Sequence, residues 1–167
     1  MDREKFIRPS ITTRVYEKNL LTSENLKRLI DTDNLNEAIS SLNDTKYGEL
    51  LQKLDRYEDY EKALSQMLLN SYKDMIKISP DKNLVKYLEE KYNFHNLKVL
   101  LKELIQDEDY KSIYIDIGKI DLVRIKRNLK EDINQNDKYF SYAKKALDLY
   151  KENKDPQDID LSLDKDF

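Results

Sequence analysis

Apolar residues recur through most of this chain at helical rather than strand spacing. Leu26, Leu29 and Ile30 follow the capping pair Thr22-Ser23, and Leu35, Ala38, Ile39 and Leu42 follow Asp33. Each set has the i, i+3, i+4 rhythm of one helical face, so two short helices are expected there, the second ending at Asn43-Asp44-Thr45. Ahead of them Ser10 is expected to cap a helix with Ile11, Val15 and Leu20 on one flank. Gly48, just after Tyr47, reads as a turn or helix start that uses glycine's permissive backbone. From Asp55 the pattern lengthens. Asp55 and Glu58 have capping-box spacing, and Tyr57, Tyr60, Leu64, Met67, Leu68, Ser71 and Met75 hold one face until Ile78-Ser79-Pro80 ends the helix and Ser79 caps the next.

Between residues 79 and 104 the apolar face changes sides. At about 100° per residue, Leu84, Leu88, Tyr92 and His95 share one flank, while Leu97, Leu100, Leu101 and Leu104 share the opposite one. Either the helix breaks near Asn93, or it is one rod held from different sides along its length. Asp107-Glu108-Asp109-Tyr110 then interrupts the period, and Tyr114–Gly118 reads as a loop with buried anchors because an isolated strand would have no partner. Asp121 caps a helix with Leu122, Ile125, Leu129 and Ile133; Asp137 caps another with Phe140, Ala143, Leu147 and Tyr150. Asp155-Pro156 opens a last one with Ile159, Leu163 and Phe167, its stripe still in progress at the final residue.

Composition supports an all-α class, a bundle of short and long helices. Two glycines and three prolines in 167 residues are too few for the tight turns of an antiparallel sheet. Charged residues make up 38% and apolar ones 39%, which suits amphipathic helices with charged outer faces. The length favours a single domain over 1–167. A net charge of −3 gives no basic footprint for nucleic acid. Cysteine is absent, which removes disulfides and thiolate chemistry and fits a reducing compartment. With no long apolar stretch and no secretory leader pattern, a cytoplasmic, soluble chain is expected, meeting a membrane only through another protein.

No catalytic, cofactor-binding or metal-ligating residue is assigned, and no cofactor is expected. Nucleotide-cradling glycine patterns are missing. The single histidine, His95, has no Cys partner and reads as a packed ring with a local hydrogen bond rather than a metal ligand or base. Asp155, Asp158, Asp160, Asp164 and Asp166 lack the central glycine and terminal glutamate of a calcium loop; Asp155 reads as an N-cap and Asp158 as a first-turn carboxylate. The basic group Arg124, Lys126, Arg127 and Lys130 reads as a solvated outer face, and the twelve tyrosines as packing at helix boundaries.

Four segments together resemble the family of C subunits of V-type and archaeal A-type ATPases, relatives of the eukaryotic V-ATPase d subunit. Arg14, Val15, Glu17, Leu20, Leu21, Thr45, Tyr47 and Gly48 match its opening block. Ser79, Pro80, Tyr92, His95, Asn96, Leu97 and Lys98 match a second block, in which Asn93 stands where Asp is usual. Ile117–Asp121 is similar to the glycine segment before the next helix, and Ile159–Phe167 to an Ile-Asp-x-x-Leu-Asp pattern with a following basic residue and aromatic. The resemblance implies the N-terminal portion of a longer, funnel-shaped protein of repeated helical modules, with the next module starting at 155–167. It implies a non-catalytic rotor part whose partners are the central axle subunits and the membrane proteolipid ring, in ATP-linked proton or sodium transport. Two other readings compete: a helical adaptor unrelated to the ATPase, with a groove for a partner's helix, and a carboxylate-based hydrolase, which would need convergent acids in a cleft.

Overall fold

The computed structural model describes residues 3–167, and among them every regular element is helical. The chain divides into two compact units, Met1–Val85 and Lys86–Phe167.

The first unit carries α1 (Ile7–Glu17), α2 (Ser23–Ile30), α3 (Leu35–Ser40), α4 (Gly48–Leu51) and α5 (Tyr60–Ile78). Its core is small: Ile39, Leu42, Leu51 and Ala63 are buried, with Leu21, Leu29, Tyr47, Leu50, Leu54 and Tyr57 packed around them. Thr22 caps α2 as expected, its hydroxyl accepting the Asn25 N–H while Asn25 Oδ1 accepts the Thr22 N–H. Three local expectations fail. Ser10 lies inside α1, which begins at Ile7 behind a 3-10 turn at Arg3–Phe6, and the expected stripe of Ile11, Val15 and Leu20 is exposed. Asn34, not Asp33, caps α3, because its side chain accepts the Glu37 N–H. No capping box forms at Asp55 and Glu58; a 3-10 turn, Tyr57–Asp59, leads into α5 without a side-chain cap.

Gly48 does begin a helix, but its φ is not positive. The requirement is steric. A Cβ there would lie 2.6 Å from the Leu42 carbonyl oxygen and 2.7 Å from the Asn43 Cα, and backbone atoms cannot step aside as a side chain can.

α6 (Lys82–Gln106) is one uninterrupted helix of 25 residues, so the apolar switch at Asn93 does not break it. Ser79 is not its cap. Asp81 Oδ1 accepts the Asn83 N–H, while the Ser79 hydroxyl donates to the Asp81 carbonyl. Nor is the Leu84 and Leu88 face buried: both are more than half exposed, and Val85 and Glu89 are buried instead.

In the second unit α6 is followed by α7 (Leu122–Lys130), α8 (Lys138–Asn153) and α9 (Gln157–Asp166). Phe94, Leu97, Leu100 and Leu101 from α6 meet Ile125, Phe140, Ala143, Ala146, Ile159 and Leu163 in the larger core. α8 packs along α9, and Ala143 and Ala146 are fully buried, small enough to let helices approach closely. Asp121 and Asp137 cap α7 and α8 as expected, accepting the Arg124 and Phe140 N–H groups. Ile133 falls outside α7 and is exposed, and Phe167 is mostly exposed although its ring meets Phe94 edge-on at 5.3 Å.

Candidate functional site

The second unit buries a row of polar side chains. Glu89, Asn93, Asn96 and Glu103 are all buried on α6, and at about 100° per residue they fall within roughly 80° of arc. Burying such groups is costly unless each finds a partner, and three of them find theirs on the segment between α6 and α7.

Asn96 treats that segment as a neighbouring strand would: its Nδ2 donates to the Ile115 carbonyl at 2.8 Å, and its Oδ1 accepts the Ile115 N–H at 2.9 Å. One turn earlier Asn93 Oδ1 accepts the Lys119 N–H, and Asn93 Nδ2 donates to the Tyr139 hydroxyl at 2.9 Å. Gly118 has φ +94° and sits so close to Asn93 that a Cβ would fall 2.0 Å from its Oδ1. Glu103 holds the front of the segment, accepting the Tyr110 N–H at 3.0 Å and the Lys126 ammonium at 2.7 Å. Ile117 is the buried apolar anchor. His95 Nε2 lies 3.0 Å from the Ile113 carbonyl; a carbonyl only accepts, so this nitrogen carries the proton, and the ring ties α6 to the segment that follows it.

The carboxylates of this clamp are tuned by their partners. Burial pushes Glu103 up, but hydrogen bonds from Lys126, the Tyr110 N–H and Tyr114 outweigh it and hold its pKa below the ordinary 4.5. Burial and the Glu103 hydrogen bond raise the Tyr114 phenol well above its usual value. Glu90 behaves like Glu103: burial raises it, and hydrogen bonds from Tyr139, Lys138 and Asn93, with the Lys138 charge, bring it below 4.5. The Tyr139 hydroxyl donates to Glu90 at 2.6 Å and so is free to accept from Asn93. An aspartate at position 93 could not make that donation, which gives the departure from the resembled pattern a physical setting.

The C-terminal aspartates do not converge. Asp160 pairs with Lys102 at 2.9 Å, Asp164 with Lys98 at 2.6 Å and Asp166 with Lys145 at 2.9 Å, tying α9 to α6 and α8. Asp155 is not the N-cap of α9, since Pro156 directly precedes the helix, but its Oδ1 accepts the Gln157 N–H, and Asp158 is in the first turn as expected. Among the described residues no group of His, Asp and Glu is arranged to hold a metal ion. A groove of about 870 Å³ opens beside the clamp, with Leu104, Leu122, Leu129, Leu147 and Tyr150 among its apolar walls and charged residues of both signs, Glu108, Asp109, Lys126 and Lys130 among them, also lining it.

His95, Asn96 and the glycine segment were legible as motif positions. Glu103 and Tyr139 were not. The readable signal for Glu103 was the recurrence of polar residues at 89, 93, 96 and 103 on a helix otherwise supplying the core; Tyr139, 46 residues from Asn93, gives no local signal.

A family model for the ATP synthase (C/AC39) subunit matches residues 12–167. The chain is 28% identical over 169 residues to the C subunit of the A-type ATP synthase of Methanocaldococcus jannaschii, a match covering 91% of this chain and 42% of that protein. It is 26% identical over 157 residues to the C subunit of the V-type sodium ATPase of Enterococcus hirae, covering 92% of this chain and 47% of that one. The C subunit of the A-type ATP synthase of Thermococcus kodakarensis is 28% identical over 114 residues, 66% of this chain and 31% of its own length. The chain thus spans less than half the length of these relatives. No solved structure matches. No described helix is long and apolar enough to cross a membrane. With a match that takes in both the α6 clamp and the α9 aspartates, the chain belongs to the ATP synthase (C/AC39) subunit family.

Proposed function

We propose that this chain is a non-catalytic part of the central stalk of a rotary V/A-type ATPase, lying between the rotating axle and the membrane proteolipid ring and passing torque from one to the other. It works on the cytoplasmic side, peripheral to the membrane, and touches the bilayer only through the ring. Family membership supports the complex and sets aside an unrelated adaptor. The observation that carries the mechanical role is the clamp. Asn93, Asn96 and Glu103 are each committed to fixing a loop onto a long helix, and a part that transmits force needs such fixed internal geometry more than it needs free acids or bases.

The test is a pull-down at low salt of the 167-residue chain against purified axle subunits and against the proteolipid ring in detergent, with ATP hydrolysis by the chain alone measured alongside. Retention by either partner without turnover is expected. Failure to bind both, or ATP hydrolysis that follows the purified chain, refutes the proposal.

A further inference from the structure

Most lysines around the second unit's core have partners: Lys98, Lys102, Lys126, Lys138, Lys144 and Lys145 each contact a carboxylate. The outer face of α7 breaks that rule. Arg124, Arg127 and Lys130 are exposed and, among the described residues, have no carboxylate within ion-pairing distance, although Arg127 and Glu131 have the i, i+4 spacing that could pair them. Arg124 and Arg127 are also the unit's two arginines. Inward, α7 is fully engaged: Ile125 is buried in the core, the buried Asn128 donates to Gln135, and Lys126 is held by Glu103. Outward, Val123 is 82% exposed beside the three cations.

We infer that the outer face of α7, formed by Val123, Arg124, Arg127 and Lys130, is a docking surface for an acidic amphipathic helix of a partner protein. The cations recur every three residues, and the six steps from Arg124 to Lys130 give about 9 Å of helix rise. That is too long for one small oxyanion. It suits a row of carboxylates three or four residues apart on a facing helix, with each arginine fork taking both oxygens of one carboxylate and Val123 supplying apolar contact at the N-terminal end of the row. The strip is also narrow. Glu131 and Asp132 flank its C-terminal end and both are exposed, so a broad anionic surface such as a bilayer would meet like charge there, whereas one helix need not. This inference goes beyond the rotary-motor reading and is tested without axle or ring.

The probe is a stapled helical peptide with Glu at i, i+3 and i+7 beside a leucine stripe, titrated into the isotopically labelled chain at about 50 mM NaCl; its twin carries Lys in place of Glu. Amide shifts confined to residues 122–136 are expected from the Glu peptide and none from the Lys peptide, with affinity falling at least about fivefold on raising NaCl to about 300 mM. R124A/R127A/K130A should weaken binding by about tenfold or more, R124K/R127K, which keeps the charges and loses the forks, should bind more weakly than the parent and more tightly than the alanine variant, and R124E/R127E/K130E should bind the Lys peptide instead. These side chains are exposed, so each variant should keep the parent's helical circular dichroism. No response to the Glu peptide, equal binding by the alanine variant, or stronger response of the same amides to inorganic phosphate or phosphatidylglycerol vesicles overturns the assignment.

Discussion

Replacing Gly118 with alanine should destabilise the second unit through a specific partner, Asn93. A residue with a Cβ held at positive φ costs about 1–2 kcal/mol. The added methyl would also sit 2.0 Å from Asn93 Oδ1 and 2.9 Å from its Cγ, so the amide must leave its place. Doing so breaks its bonds to the Lys119 N–H and the Tyr139 hydroxyl, and groups left buried without partners cost about 1–3 kcal/mol. Gly118→Ala should therefore cost about 2–5 kcal/mol in all. Asn93→Ala alone should cost about 1–3 kcal/mol, since it loses the same bonds without backbone strain. In the double variant the clash is gone and the bonds are lost only once, so its cost should fall short of the sum by about 1–3 kcal/mol. Urea unfolding followed by circular dichroism gives the four energies, and hydrogen exchange at Lys119 and Ile115 shows whether the loss lies at the clamp. A cost for Gly118→Ala below about 1 kcal/mol, or strict additivity with Asn93→Ala, would refute the reasoning.

Asn93→Asp should cost about 1–3 kcal/mol near neutral pH, because it removes the donor to Tyr139 and sets a carboxylate beside Glu90; adding E90Q should recover much of the loss, and thermal melts of the three variants decide it. The Glu103 contribution should depend on pH: its native pKa is depressed below 4.5, so its stabilisation is fully present above about pH 4.5 and is lost as pH falls through the native value. Glu103→Gln should thus flatten the acid limb of the urea midpoint plotted against pH, and an unchanged limb would contradict it. In α9, Ile159→Ala should cost about 2–5 kcal/mol, as for a fully buried aliphatic, whereas Lys98→Ala, losing a partly exposed pair with Asp164, should cost less than about 1 kcal/mol; denaturant midpoints that reversed this order would show that the ion pairs, not the core, hold the helix.

Local chemistry carried far in this chain. Scarce glycine and proline with helical spacing gave the all-α class, and Thr22, Asp121 and Asp137 marked their helix starts because capping is a contact with a backbone N–H only two or three residues away. The ordered motif positions also gave the family, with His95 and Asn96 among them. Spacing alone does not report burial: Ile11, Val15, Leu84 and Leu88 repeat as an inner face would, yet are exposed, since periodicity states which side chains share a face and not whether anything covers it. The continuity of α6 and the clamp belonged to the tertiary structure. Asn93 meets Tyr139 across 46 residues of chain and Glu103 meets Lys126 across 23, and no pattern along the sequence encodes which distant donor a buried amide or carboxylate will find. Gly48 shows the same division at one residue: the sequence marked it as a special position, but only the packed backbone of Leu42 and Asn43 supplies the reason, a space too small for a Cβ.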